Sequence, residues 1–185
     1  YSVTYKPGTL KVTADETEVV VKIKENSGTE KYNGTEKKVT GYKVTSISSK
    51  LYKESDFTFE GKAEVKGTDA GTYEMNLKPT DFKNKSKNIT NVKFEIEDGQ
   101  LTISPRQVTL TSEGGTKPYD GTPLTNAKFT VSGDGFVDGE VSNVRTTGSI
   151  TNVGEKPNTI TFTKGESYKD DNYSVTYKPG TLKVT

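Results

Sequence analysis

Cysteine, histidine and tryptophan are absent from this chain of 185 residues, and methionine occurs once. Without cysteine there is no disulfide, no zinc–thiolate site and no thiol nucleophile. Without histidine there is no imidazole to act as a general base or metal ligand. Charge of one sign is also missing: 26 basic residues face 25 acidic ones, for a net charge of +1. The two signs are interspersed, which excludes a broad basic field for nucleic acid and a polybasic anchor for a membrane. No apolar run approaches the length of a spanning helix, and no signal sequence is visible. Apolar residues make up only 29% of the chain, but they recur in short alternating runs, unlike the composition of a disordered polymer. Small modules with thin cores and large polar surfaces fit this balance better than one large domain.

What is present is repetition. Tyr1 to Thr13 reads YSVTYKPGTLKVT, and Tyr173 to Thr185 reads the same, 172 residues further on. Such identity points to a piece of a tandem array whose larger unit is 172 residues long. That unit is itself two related halves. Val19–Ile23 aligns with Gln107–Thr111, Lys31–Thr35 with Pro118–Thr122, and Gly41–Val44 with Lys128–Val131. Thr68–Gly71 aligns with Thr151–Gly154, and Gly99–Ile103 with Gly180–Val184. The chain therefore divides into residues 1–13, the closing hairpin of a preceding copy; 14–105, a diverged repeat module; and 106–185, a second repeat module.

The local pattern is strand. Val19, Val21 and Ile23 alternate with lysines, as do Val92, Phe94 and Ile96 with Lys93 and Glu95. Ala127, Phe129 and Val131, Val175 and Tyr177, and Leu182 and Val184 follow the same period of two. This places the apolar set on one face of a half-buried strand. Only Ser48–Phe57 hints at a helical turn. Each half should close with a hairpin, the first through Asp98-Gly99 in a type I′ turn and the second through Pro179-Gly180 in a type II turn. Linkers at Thr102–Val108 and Thr13–Glu16 are short and lack flexible Gly/Ser stretches, which predicts stiff junctions. Residues 1–13 should keep their hairpin and pack on a neighbour. The fold class is all-β: two tandem small β-sandwich modules of immunoglobulin-like type, with β-grasp-like modules as the alternative.

Tyr119-Asp120-Gly121-Thr122-Pro123-Leu124 is followed in order by Thr151-Asn152-Val153-Gly154, Asn158-Thr159-Ile160, Asn172-Tyr173-Ser174-Val175 and Gly180-Thr181-Leu182-Lys183-Val184. With these five pieces the second half resembles the YDG-type or MBG-type repeats of bacterial extracellular proteins, especially large Gram-positive adhesins. The first half looks like a diverged cousin, with Asn33 in place of the aspartate and Asn91-Val92 in place of Asn-Tyr. The resemblance implies secreted, wall-attached, all-β repeats arrayed between a distal binding region and an anchor.

Candidate sites have simpler competing explanations. Tyr119-Asp120-Gly121 reads as a turn anchored by its tyrosine rather than a ligand loop. Asp69-Ala70-Gly71-Thr72-Tyr73 matches a tyrosine corner, in which the phenol bonds a backbone group. Ser132–Glu140 carries carboxylates between glycines that could surround calcium, but its spacing is not that of an EF-hand loop and a solvated loop is favoured. A Lys–Asn isopeptide bond, known in Gram-positive surface domains, needs an inward lysine. Lys22, Lys24, Lys93, Lys128 and Lys183 instead fall on polar faces. No acid, base and nucleophile set can be assembled, so no catalytic residue, metal site or cofactor is expected, and the ligand-binding residues, if any, stay unassigned. The expected function is a non-catalytic stalk segment of a cell-wall-attached bacterial surface adhesin, with neighbouring copies as its partners. The alternative is a module that binds host glycan or matrix protein weakly and gains avidity from the array.

Overall fold

The computed structural model describes all 185 residues. The first repeat contributes ten strands: β1 (Val19–Glu25), β2 (Gly28–Lys31), β3 (Lys37–Thr40), β4 (Tyr42–Ile47), β5 (Phe57–Phe59), β6 (Glu64–Gly67), β7 (Gly71–Glu74), β8 (Phe82–Asn84), β9 (Val92–Glu97) and β10 (Gln100–Ser104). The second contributes eight: β11 (Arg106–Ser112), β12 (Gly115–Lys117), β13 (Phe129–Gly133), β14 (Val141–Thr146), β15 (Gly154–Pro157), β16 (Ile160–Lys164), β17 (Tyr173–Lys178) and β18 (Thr181–Val184). The fold is all-β; its only helical pieces are three single 3-10 turns, one of them Glu54–Asp56 within the segment that hinted at a turn. Small sheets of two and three strands, each with one buried face, fit a sandwich arrangement.

The central pairings are parallel. In sheet β4–β1–β9, β1 runs antiparallel to β4 and parallel to β9, Val19 opposite Val92 and Lys24 opposite Glu97. In sheet β2–β10–β7, β10 lies parallel to β2. The second repeat repeats the plan. Strand β11 is parallel to β17 in sheet β13–β11–β17, and β12 is parallel to β18 in sheet β12–β18–β15.

The closing hairpins are therefore not hairpins. Strands β9 and β10 belong to different sheets, as do β17 and β18. Each pair is an arch that carries the chain from one sheet into the next, stacked beside a matching bend between the first and second strands of the repeat. Neither Gly99 nor Gly180 has positive φ, so neither predicted turn type forms. These glycines serve close backbone approach instead. A Cβ on Gly99 would lie 2.4 Å from the Asn26 carbonyl oxygen, and one on Gly180 would lie 2.3 Å from the Gly114 nitrogen.

The chain forms two compact units that do not coincide with the repeats. The first comprises residues 1–27, 39–65 and 74–100. Its core joins Val19, Val21 and Ile23 to an aromatic cluster of Phe57, Phe82 and Phe94, flanked by Tyr42 and Phe59. The second comprises residues 28–38, 66–73 and 101–185. Leu101, Ile103, Val108, Leu110, Leu182 and Val184 are buried in it.

Three expectations need correction. Residues 1–13 form no strand and are exposed throughout, Leu10 and Val12 fully so. In residues 173–185 the same sequence pairs with β11, β12 and β15, and residues 1–13 have no such partners. The junction at residues 13–16 is accordingly held mainly at Asp15, which exchanges backbone bonds with Asn88 and Thr90. The alignment of Val19–Ile23 with Gln107–Thr111 is also off by one. Val19 faces Val92 as Arg106 faces Tyr173, so Val21 and Ile23 correspond to Val108 and Leu110. A slip of one residue would exchange the buried and open faces. Finally, the apolar faces of β13 and β17 are incompletely covered, because Val131 and Tyr177 are exposed.

Candidate functional site at the repeat junction

The polar interior of the chain is concentrated at its arches and where one repeat meets the next. At the first arch, Glu25 occupies an inward position of β1 and is 1% exposed. Its carboxylate accepts the Leu77 N–H at 2.7 Å and the Gly99 N–H at 2.9 Å. Ser112 holds the corresponding place in β11: its hydroxyl accepts the Gly180 N–H at 3.1 Å and donates to the Asn158 carbonyl. Buried Asn158 ties in Glu113, Asn126 and Gly148. These side chains satisfy backbone groups that bending out of a sheet leaves unpaired.

The repeat junction lies wholly inside the second unit. Strand β10 passes into β11 through Pro105 alone. Tyr32, 4% exposed, donates its hydroxyl to Glu140 Oε2 at 2.8 Å, and Tyr173 donates to Glu140 Oε1 at 2.9 Å. Glu140 is itself buried. The two rings meet edge to face at 5.8 Å, and Tyr173 continues into a cluster with Phe136 and Tyr168. Burial, reinforced by the Glu140 carboxylate, pushes the Tyr32 hydroxyl well above its ordinary value; burial also raises Tyr173, to about 12. Both remain neutral donors at physiological pH.

Around this centre, Arg106 donates to the backbone carbonyls of Tyr32, Asp134 and Gly135. Lys31 reaches Asp134 at 2.7 Å, and Lys169 reaches Asp69 at 2.7 Å. These bonds hold both carboxyls below the usual aspartate range, helped by the Gln107 N–H at Asp134 and by Asn172 at Asp69. Buried Asn172 also accepts the Ala70 N–H at 2.7 Å. The junction is a clasp of hydrogen bonds around one carboxylate.

The motifs singled out in the sequence fall into this picture unequally. Asp120 accepts from the backbone and hydroxyl of Thr122, with Gly121 at φ 79°, so the YDG loop is a side-chain-closed turn. Asn33 and Gly34 repeat it. Lys117, then Thr122, holds the Asp120 carboxyl far below its ordinary range. The Tyr73 hydroxyl donates to the Asp69 carbonyl at 2.8 Å, which makes the tyrosine corner real. In Ser132–Glu140 the carboxylates of Asp134 and Glu140 are taken up by Lys31, Gln107, Tyr32 and Tyr173. The five lysines weighed for an isopeptide bond are all exposed. Sequence reasoning missed Glu25 and Glu140 as organising groups. Glu25 was within reach, because it continues the inward series Val19, Val21, Ile23.

The molecule is thus an all-β tandem repeat whose polar centres bind its own backbone and its own neighbouring repeat. Residues 19–105 match the family model of the MBG domain, and the first repeat is a module of that type. The match falls on the repeat whose YDG and Asn-Tyr motifs are altered. No curated protein and no solved structure matches the chain.

Proposed function

We propose that this chain is a non-catalytic spacer segment of a bacterial surface protein, its repeats coupled in series so that each copy adds reach. The observation that carries this reading is the clasp at Glu140, which joins one repeat to the next inside a single compact unit. A linker free to bend would not bury a carboxylate with two tyrosines across the join. The setting is extracellular, on a wall-attached adhesin of the Gram-positive kind, with neighbouring copies as the principal partners. Small-angle scattering on arrays of increasing copy number tests it: the maximum dimension should rise nearly linearly, and compact particles would refute it.

A second reading is favoured by exposed Tyr177, which lines a shallow cleft of about 100 Å3 with Thr159, Ile160 and Pro179. Such a patch could take a sugar ring or an apolar side chain weakly, with avidity from the array. Binding to host glycan or matrix protein that strengthens with copy number and disappears in Tyr177→Ala would favour it.

A further inference from the structure

Tyr32 and Tyr119 occupy the same place in the two repeats, each followed by a side-chain-closed turn and a glycine of positive φ. Their surroundings differ. Tyr32 is 4% exposed against Glu140, whereas Tyr119 is 59% exposed. Val153, the counterpart of Ala70 in the clasp, is also exposed. The second repeat therefore presents the inserting half of the clasp with nothing seated on it.

The first unit presents a receiving half. Asp56 is the positional counterpart of Glu140. Its N–H bonds the carbonyl three residues back and its carbonyl accepts from Lys85, as those of Glu140 bond Val137 and Gly165. Asp56 lines a cleft of about 360 Å3 together with Thr13, Leu51, Asn88 and Ile89. Leu51 is three-quarters exposed.

Thr13 connects the two halves. It ends the thirteen-residue segment that recurs as Tyr173–Thr185, so it stands where Thr185 of a preceding copy would stand. In the second repeat, Thr185 is bonded directly to the tyrosine loop: Tyr119 N–H donates to its carbonyl at 3.0 Å, and its own N–H donates to Lys117. In an array, a Tyr119 loop would arrive beside Thr13, at the mouth of the cleft.

We propose that this cleft is the seat for the Tyr119–Gly121 loop of another copy of the chain, with Asp56, whose Oδ2 accepts the Lys53 N–H at 2.9 Å, accepting the tyrosine hydroxyl on Oδ1. The proposal rests on the tandem arrangement of the spacer reading but makes a separate claim about which residues join copies. This seat is lighter than the one at Glu140. Pro118 replaces Lys31, and Val19 stands in the place of Arg106, so the ion pair and the guanidinium bonds have no counterparts.

The test is nitration of tyrosine in a two-copy chain, residues 1–185 running directly into a second 14–185. Two versions are made, each keeping Tyr119 in one copy and phenylalanine in the other. Tyr119 of the leading copy should react about tenfold more slowly than Tyr119 of the trailing copy, as a ring reached only by local undocking does. Leu51→Lys in the trailing copy, at an exposed position that folding does not need, should restore the leading tyrosine to full reactivity. Equal reactivity of the two tyrosines, or protection untouched by Leu51→Lys, overturns the proposal. Scattering lengths that still grow with copy number in that case would leave the spacer reading standing.

Discussion

Removing the carboxylate of Glu140 should destabilise the second unit more than its single side chain suggests. Glu140 accepts from two buried tyrosine hydroxyls, at 2.8 and 2.9 Å. A hydrogen bond to a charged group contributes about 1.5–3 kcal/mol, and a buried donor left without a partner costs about 1–3 kcal/mol. Glu140→Ala strands both hydroxyls, so a loss of about 3–5 kcal/mol is expected, the range for breaking a buried charged contact from one side. Glu140→Gln keeps one acceptor oxygen and turns an amide toward the other hydroxyl, for a loss of about 1.5–3 kcal/mol. In a chain of this size each kcal/mol moves the melting temperature by about 2–4 °C, so thermal unfolding followed by circular dichroism resolves both. The decisive variant is Tyr32→Phe/Glu140→Leu/Tyr173→Phe. It removes both donors and the acceptor together, leaves only the Val137 N–H without its partner, since that group donates to the Tyr173 hydroxyl at 3.0 Å, and should recover part of what Glu140→Ala loses. If Glu140→Ala unfolds within about 0.5 kcal/mol of the parent, in the range of an ordinary surface substitution, the clasp does not hold the junction. If the triple variant is no better than Glu140→Ala, unpaired hydroxyls are not the cause of the loss.

Two further outcomes follow from the same geometry. Gly180→Ala puts a Cβ 2.3 Å from the Gly114 nitrogen and 2.8 Å from the Ser112 carbonyl oxygen, where only backbone could yield; a loss of at least about 1–3 kcal/mol is expected, against about 0.5 kcal/mol or less for Gly8→Ala, where nothing lies within 4 Å and φ is not positive. Burial raises the Tyr32 and Tyr173 hydroxyls above 10, so the folded state holds protons that the unfolded chain releases; their contribution to stability should be constant from neutral pH up to about 10 and fall from there toward pH 12, with a shallower fall in Tyr32→Phe/Tyr173→Phe when denaturant unfolding is compared across that range.

Alternation along β1, β9, β10 and β18 was legible because burial of one face is a local, period-two property. The arches were not. Asp98-Gly99 carries the local chemistry of a tight hairpin, but whether two strands fold back on each other or continue into separate sheets is decided by partners far away in sequence. Here β1–β2 and β11–β12 supply parallel edges that a hairpin could not use. The same distance effect hid the clasp. Tyr32 and Tyr119 look alike in sequence, and only the 108-residue separation spanned by the Tyr32–Glu140 bond tells them apart. Residues 1–13 make the point from the other side: thirteen residues that are strands between β11, β12 and β15 are coil without those neighbours. Their strand character belongs to the sheet and not to the segment.

The first strand of each repeat lies beside the penultimate one, and the second beside the last, each pair pointing the same way. Tension applied at the two termini of a repeat pulls such strands along their length in opposite senses. The rungs between Val19–Lys24 and Val92–Glu97, and between Arg106–Thr111 and Tyr173–Lys178, then share the load together instead of parting one at a time. A segment laid out in this way should resist being drawn apart end to end better than its thin cores alone suggest.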